Sequence, residues 1–153
     1  MQKALAIDAL KKACRQELAA IEQASAAARD ETTNAETKQE GKYDTRAIEA
    51  SYLARGQAVR VGALRQLTSW FEQLQARPCT EIQVGALFQL EGSADWLFMA
   101  PVGGSGAELS GQRIKVISPA SPLGKALSEL ESGDQATLSS PQGERSVTVS
   151  VVL

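Results

Sequence analysis

Histidine is absent from this chain of 153 residues, and that absence removes more chemistry than any other feature of its composition. A Ser-His-Asp or Cys-His nucleophilic site, a histidine-bearing zinc site and a histidine general base are all excluded. Any chemistry must rest on carboxylates, lysine or backbone groups. Cysteine is scarce as well, with only Cys14 and Cys79. No apolar run approaches membrane-spanning length, and Asp8 interrupts the N-terminal stretch before a signal-peptide core could form. A cytoplasmic protein that does not engage membranes is the expectation.

Proline and glycine are missing selectively. All five prolines and nine of the twelve glycines lie after residue 77, which separates a helix-compatible half from a turn-rich half. A boundary at Ala76-Arg77-Pro78 divides residues 1–77 from residues 78–153. Charge divides there too, with twelve Lys/Arg against ten Asp/Glu before the boundary and four against eight after it. No block of like charge suggests a nucleic-acid tail, and a pI near 5.3 argues against direct duplex DNA binding. Arg55, Arg60 and Arg65 sit at different angles around a helix, as on a solvated arm surface rather than a phosphate-tracking stripe.

The first half reads as two helical arms. Leu10, Cys14, Leu18, Ile21, Ala24 and Ala28 keep one narrow apolar stripe at steps of three and four, and so do Ile48, Tyr52, Gly56, Val59, Ala63, Leu67, Trp70 and Leu74. Neither arm can bury its stripe alone. An antiparallel hairpin pairs residues whose numbers add to roughly 85, setting Leu10 near Leu74, Leu18 near Leu67 and Ile21 near Leu64. The reversal then falls in the polar stretch 39–46, where Gly41 can end a helix in the left-handed conformation and Asp44 or Thr45 can cap the next. The arms are expected over Gln2–Asn34 and from the Asp44 or Thr45 cap to about Gln75, roughly 45 to 50 Å of projection at 1.5 Å per residue. Gly56 would permit close approach of the arms. Trp70 and Phe71 read as core at the hairpin base. Cys14 faces that region as a small buried apolar residue, whereas Cys79 lies roughly 12 Å further along, too far for a disulfide.

After Pro78 the period changes to two. Ile82 to Leu90, Asp95 to Val102, Arg113 to Ile117, Gln135 to Ser139 and Arg145 to Leu153 read as strands. Gly103-Gly104-Ser105-Gly106 reads as a flexible loop, not a phosphate cradle, since no helix pattern or Lys-Ser/Thr pair follows. Ser121 with Pro122 starts a short helix to about Leu130, and Pro141-Gln142-Gly143 makes a turn. The second half is thus a small sheet with one helix, giving an α+β chain led by a coiled-coil hairpin.

This pattern resembles the bacterial Gre transcript cleavage and elongation factors. The segment Val116-Ile117-Ser118-Pro119-Ala120-Ser121-Pro122-Leu123-Gly124-Lys125-Ala126-Leu127 is similar to the start of that family's SxxSPxxxxLxGK signature, although Glu129-Leu130 stands where its closing Gly-Lys would be. The resemblance implies an FKBP-like C-terminal domain that docks on RNA polymerase, here through Ser118, Pro119, Ser121 and Pro122. It also implies a hairpin that enters the polymerase secondary channel as an accessory factor, not as an enzyme on its own. Two tip carboxylates would help hold a Mg2+ ion shared with the polymerase and so promote cleavage of backtracked RNA. The family tip reads approximately Gly-Asp-Leu-x-Glu-Asn-Ala-x-Tyr. Anchored on Ala50-x-Tyr52, this chain has Thr45 and Ile48 at the acidic positions, each acid being displaced by one residue. Asp44 and Glu49 are the candidate metal-holding carboxylates, with Glu40 as a substitute partner across the turn. Lys42 and Arg46 could instead make the tip an electrostatic plug for the channel, and Asp44 could be simply a helix cap.

Three other readings stand beside a monomeric cleavage factor. One is a Gre-like polymerase regulator that does not stimulate cleavage. The second is an FKBP-like prolyl isomerase or chaperone with a helical extension, needing an aromatic-lined pocket for which only Phe88, Trp96 and Phe98 are available. The third is a self-associating coiled-coil adaptor, suggested by Leu53 and Val61.

Overall fold

The first half folds into two long helices, α1 (Lys3–Glu36) and α2 (Thr45–Gln73). The computed structural model describes residues 1–36, 45–141 and 143–153, with the backbone alone for 29–36, 45–53 and 140. α1 contains neither glycine nor proline and is dominated by Ala, Glu, Lys, Leu and Gln, so propensity carries it through Thr32-Thr33-Asn34 to Glu36. α2 stops two residues earlier than expected, where the Leu74 N–H turns back to the Phe71 carbonyl at 3.1 Å. Arg15 pairs with Glu72 and Glu22 with Arg65, so rising numbers on α1 meet falling numbers on α2 and the helices run antiparallel. Both pairs add to 87, within a turn of the expected register. Leu10, Leu18, Ile21, Leu64, Leu67 and Leu74 all enter one apolar cluster.

The seam on α2 differs in detail from the expected stripe. Leu64, Leu67 and Phe71 are buried, Trp70 is only half-buried, and Val59 is 74% exposed. Gly56 does not mark a close approach either, because a Cβ there would meet nothing within 4 Å. Above Leu64 the described part of α2 is mostly small or polar, and the apolar side chain of Val59 is left exposed.

Residues 87–152 form a six-stranded sheet of order β3-β4-β2-β1-β6-β5. The strands are β1 (Leu87–Leu90), β2 (Trp96–Met99), β3 (Gly106–Leu109), β4 (Gln112–Ile117), β5 (Gln135–Ser140) and β6 (Gly143–Val152). All neighbours are antiparallel except β2 and β4. That parallel pair requires the chain to leave β2, pass over β4 and return through β3, and the passage is made by Gly103-Gly104-Ser105. The loop is therefore packed rather than loose. A Cβ on Gly103 would lie 3.1 Å from the Ser118 nitrogen, and one on Gly106 would lie 2.6 Å from the Ile114 carbonyl oxygen.

Other boundaries move for local reasons. Ile82 is buried but flanks only an isolated bridge between Glu81 and Glu131, and Gly85 at φ 100° turns the chain before β1 begins. The helix α3 (Pro122–Leu127) ends three residues early, because Ser128 leaves helical geometry and Glu129 takes the left-handed conformation at φ 69°.

The sheet is the middle of three layers. On one face Leu87, Trp96, Phe98, Ile114 and Val116 meet Ala6, Ile7, Leu10, Cys14, Leu64, Leu67 and Phe71 of the hairpin root. On the other face Phe88, Leu97, Met99 and Val149 meet Ile82 and Leu127. Alternate residues of β1 and β2 thus go to opposite faces, and β2, covered on both, is buried throughout.

Candidate functional site

The docking segment expected at residues 118–122 is a tight corner between β4 and α3. Ser121 sits in extended geometry as the N-cap of α3, accepting from the Gly124 N–H at 3.0 Å. Its hydroxyl donates to the Ser118 carbonyl at 2.7 Å, and that carbonyl also accepts from the Ser121 N–H at 3.0 Å. Pro122 takes the first helical position, where its missing N–H costs nothing. Gly124 is forced by sterics, since a Cβ there would lie 1.9 Å from the Ser118 oxygen. The Gly124 carbonyl in turn accepts from the Ser128 hydroxyl at 2.8 Å. The corner therefore presents Ala120 and Pro122 to solvent with Pro119 half-buried, while the Ser121 hydroxyl is used to hold its shape.

The expected tip residues do not come into view in the same way. Glu40, Lys42 and Asp44 lie outside the described residues, as do the side chains of Arg46 and Glu49, whose positions are in the first turns of α2. Among the described residues there is no group of three or more His, Cys, Asp or Glu that could hold a metal ion. Along the arms, Arg60 pairs with Glu17 and Arg65 with Glu22, so these arginines serve the hairpin itself, while Arg55 is exposed.

Both cysteines are free. Burial pushes the Cys14 thiol upward, with a hydrogen bond to Ser105 opposing and the nearby Glu17 charge adding to the rise. A thiol so placed is a packing residue, not a nucleophile. Cys79 is half-buried beside the Lys3 ammonium, which donates to its Sγ at 3.2 Å, to the Leu153 carbonyl at 2.8 Å and to the Arg77 carbonyl. Phe88, Trp96 and Phe98 are all buried in the two core clusters, which leaves an isomerase pocket without its aromatic lining. Among the described residues no helix is long and apolar enough to cross a membrane.

Three residues with roles in this architecture carry no signal in sequence: Glu17, Ser105 and Gly103. Glu17 looks like any helix surface acid, and the glycine-rich stretch looks like a linker. Gly124 lies within the family-like segment but at a position its signature leaves open, so its steric need appears only once the Ser118 carbonyl is placed beside it.

Residues 102–153 match the family model described as transcription elongation factor, GreA/GreB, C-term. A solved structure of the transcription factor Gfh1 is 20% identical, with 94% of this chain and 93% of that one covered and a TM-score of 0.39. Gfh1 of Thermus aquaticus is 24% identical over 92% and 94% of the two chains, with a TM-score of 0.38. The prokaryotic transcription elongation factor GreA/GreB from Nitrosomonas europaea is 22% identical over 69% of this chain and 92% of its own, with a TM-score of 0.33. No curated protein matches the sequence.

Proposed function

We propose, from the premise that this is a GreA/GreB-like transcription elongation factor, that it acts on RNA polymerase in the cytoplasm as a monomeric accessory factor. The observation that carries the reading is the GreA/GreB C-terminal match over 102–153, joined through a shared core to a long two-helix arm. In this reading residues 78–153 dock on the polymerase through the Ser118–Pro122 corner, and residues 1–77 reach through its secondary channel.

The corner suits docking because its form is set before any partner arrives. Every turn of it is closed internally, so binding need not order it. The arm suits reach because a helical hairpin satisfies its own backbone hydrogen bonds and stays stiff far from a folded body. At its end, Asp44 and Glu49, with Glu40 as the substitute partner, would offer carboxylates toward a Mg2+ ion shared with the polymerase. Magnesium prefers oxygen ligands and would supply activation of an attacking water when bound. Lys42 and Arg46 would set the charge of the tip beside them.

A second reading is favoured by one specific feature, the displacement of each acid by one residue from the family spacing. Under it the chain occupies the channel and modulates the polymerase without stimulating cleavage. The experiment is RNA cleavage by cognate RNA polymerase in a defined backtracked complex, with wild type, Asp44→Ala and Glu49→Ala. Stimulation that falls at least tenfold in either variant identifies a cleavage factor. Absence of stimulation, together with competition against an authentic Gre factor that is lost on deleting residues 36–48, identifies the non-cleaving regulator. Neither stimulation nor competition overturns both.

A further inference from the structure

We infer that Glu17 is a positioning residue that sets the direction of the hairpin relative to the sheet, acting through Ser105. Its carboxylate is shared between two elements. Oε1 accepts from the Arg60 guanidinium of α2 at 2.6 Å, and Oε2 accepts from the Ser105 hydroxyl at 2.9 Å. One side chain on α1 thereby joins the other helix and the crossover loop.

Ser105 is a firm point of attachment. Its carbonyl accepts from the Val116 N–H at 2.8 Å, and the Gly104 N–H donates to the Val116 carbonyl at 3.1 Å. Gly103 is pressed onto the backbone of Ile117 and Ser118, where a Cβ would sit only 3.1 Å from the Ser118 nitrogen. Ser118 begins the corner proposed to dock. The hairpin and the docking corner are therefore referenced to the same few residues at the end of β4. A small cleft of about 80 Å3 beside this contact is lined by Glu17, Arg60, Leu64, Leu67, Gly103 and Gly104, so packing leaves space next to the tie.

Leverage gives this tie its importance. The apolar root of the hairpin centres on Ile7, Leu10, Leu67 and Phe71, one face of which rests on the sheet. From Leu10 to Glu17 is roughly 10 Å along the helix, and from Leu10 to Glu36 roughly 39 Å. A displacement of 1 Å at Glu17 thus becomes about 4 Å at Glu36, more than the tolerance of any arrangement of reacting groups. The exposed Arg60 pair contributes little alone. The hydrogen bond to Ser105, charge-assisted and half-buried, is the part that restrains rotation.

The consequence for polymerase rests on the reading above, but the geometry can be tested without it. Spin labels at Gln23→Cys on α1 and Glu91→Cys after β1, in a Cys79→Ser background, report the hairpin direction in the free protein by double electron–electron resonance. Ser105→Ala is expected to broaden the distance distribution about twofold, and Glu17→Ala at least as much. Ser105→Thr, which keeps the hydroxyl, restores the narrow distribution. Arg65→Ala, which breaks a bond between the two helices only, leaves it unchanged. Wild-type widths in both Ser105→Ala and Glu17→Ala, with circular dichroism showing folded protein, would overturn the inference. In the transcription assay Ser105→Ala is expected to lose effect severalfold while still competing for polymerase. If the wild type itself has no effect there, the polymerase reading fails while the resonance result stands.

Discussion

The root of the hairpin and the arm above it belong to the same two helices, yet they are held by different means. At the root, Ile7, Leu10, Cys14, Leu67 and Phe71 are almost wholly buried, and the Phe71 ring packs 5.5 Å from that of Phe98 in the sheet. Above Leu64, residues 54–60 of α2 and 26–28 of α1 are exposed. There the helices rely on propensity, with the cross-helix ion pairs Glu17–Arg60 and Glu22–Arg65 lying at the base of that stretch. Folding energy and reach are thus allocated to separate stretches. Substitutions in the exposed stretch of such an arm have little effect on whether the protein folds.

The comparison predicts a steep gradient of mutational effects. Phe71→Ala removes the ring that joins hairpin and sheet and is expected to destabilise the protein by about 3 to 5 kcal/mol, measured by urea denaturation. A loss under about 1 kcal/mol would show that the root is not where stability is concentrated. In the body, Glu129 is held in the left-handed region at φ 69°, which glycine adopts freely and glutamate resists. Glu129→Gly should therefore raise stability by about 1 kcal/mol net of the greater freedom of the unfolded chain, visible as a higher denaturation midpoint. At the far end of the scale, Val59→Ser on the arm should change stability by less than about 0.5 kcal/mol in the same measurement. A larger loss would mean that Val59 has a partner despite its exposure.

Periodicity made the hairpin legible. Steps of three and four placed both helices, and the pairing sum set their register within a turn. What it could not resolve was which of two neighbouring stripes on α2 faces inward, because Trp70 and Phe71 are adjacent aromatics that both reach Phe98, and only the full burial of Phe71 beside a half-buried Trp70 tells them apart. The strand β3 was missed because Ala107-Glu108-Leu109 is too short to show alternation and is bounded by glycines that suggest a loop. The need for those glycines arises from β4 passing beneath them, a relation invisible before the topology is known. Position 129 shows an intermediate case. The departure from the family's glycine was readable, but its cost follows only from the backbone angle. The start of α3 was readable from Ser121-Pro122 alone, since capping is local chemistry. Glu17 and Ser105 are 88 positions apart and ordinary in composition, so nothing local could join them.

The central strand β1 lies between β2, which follows it at once, and β6, whose Val152 pairs with Phe88 about sixty residues later. During synthesis the helices and the first four strands must therefore emerge while one side of β1 has no neighbour. The two helices, whose backbone bonds are local, can form within microseconds, although their pairing joins residues as far apart as Arg15 and Glu72, and their faces at Ile7, Leu10 and Phe71 wait for the sheet. Completion of β6 is then the event that gives β1 its second neighbour. Until that moment the growing chain offers an apolar flank and an open strand edge, the two features that chaperones on a ribosome are suited to shield.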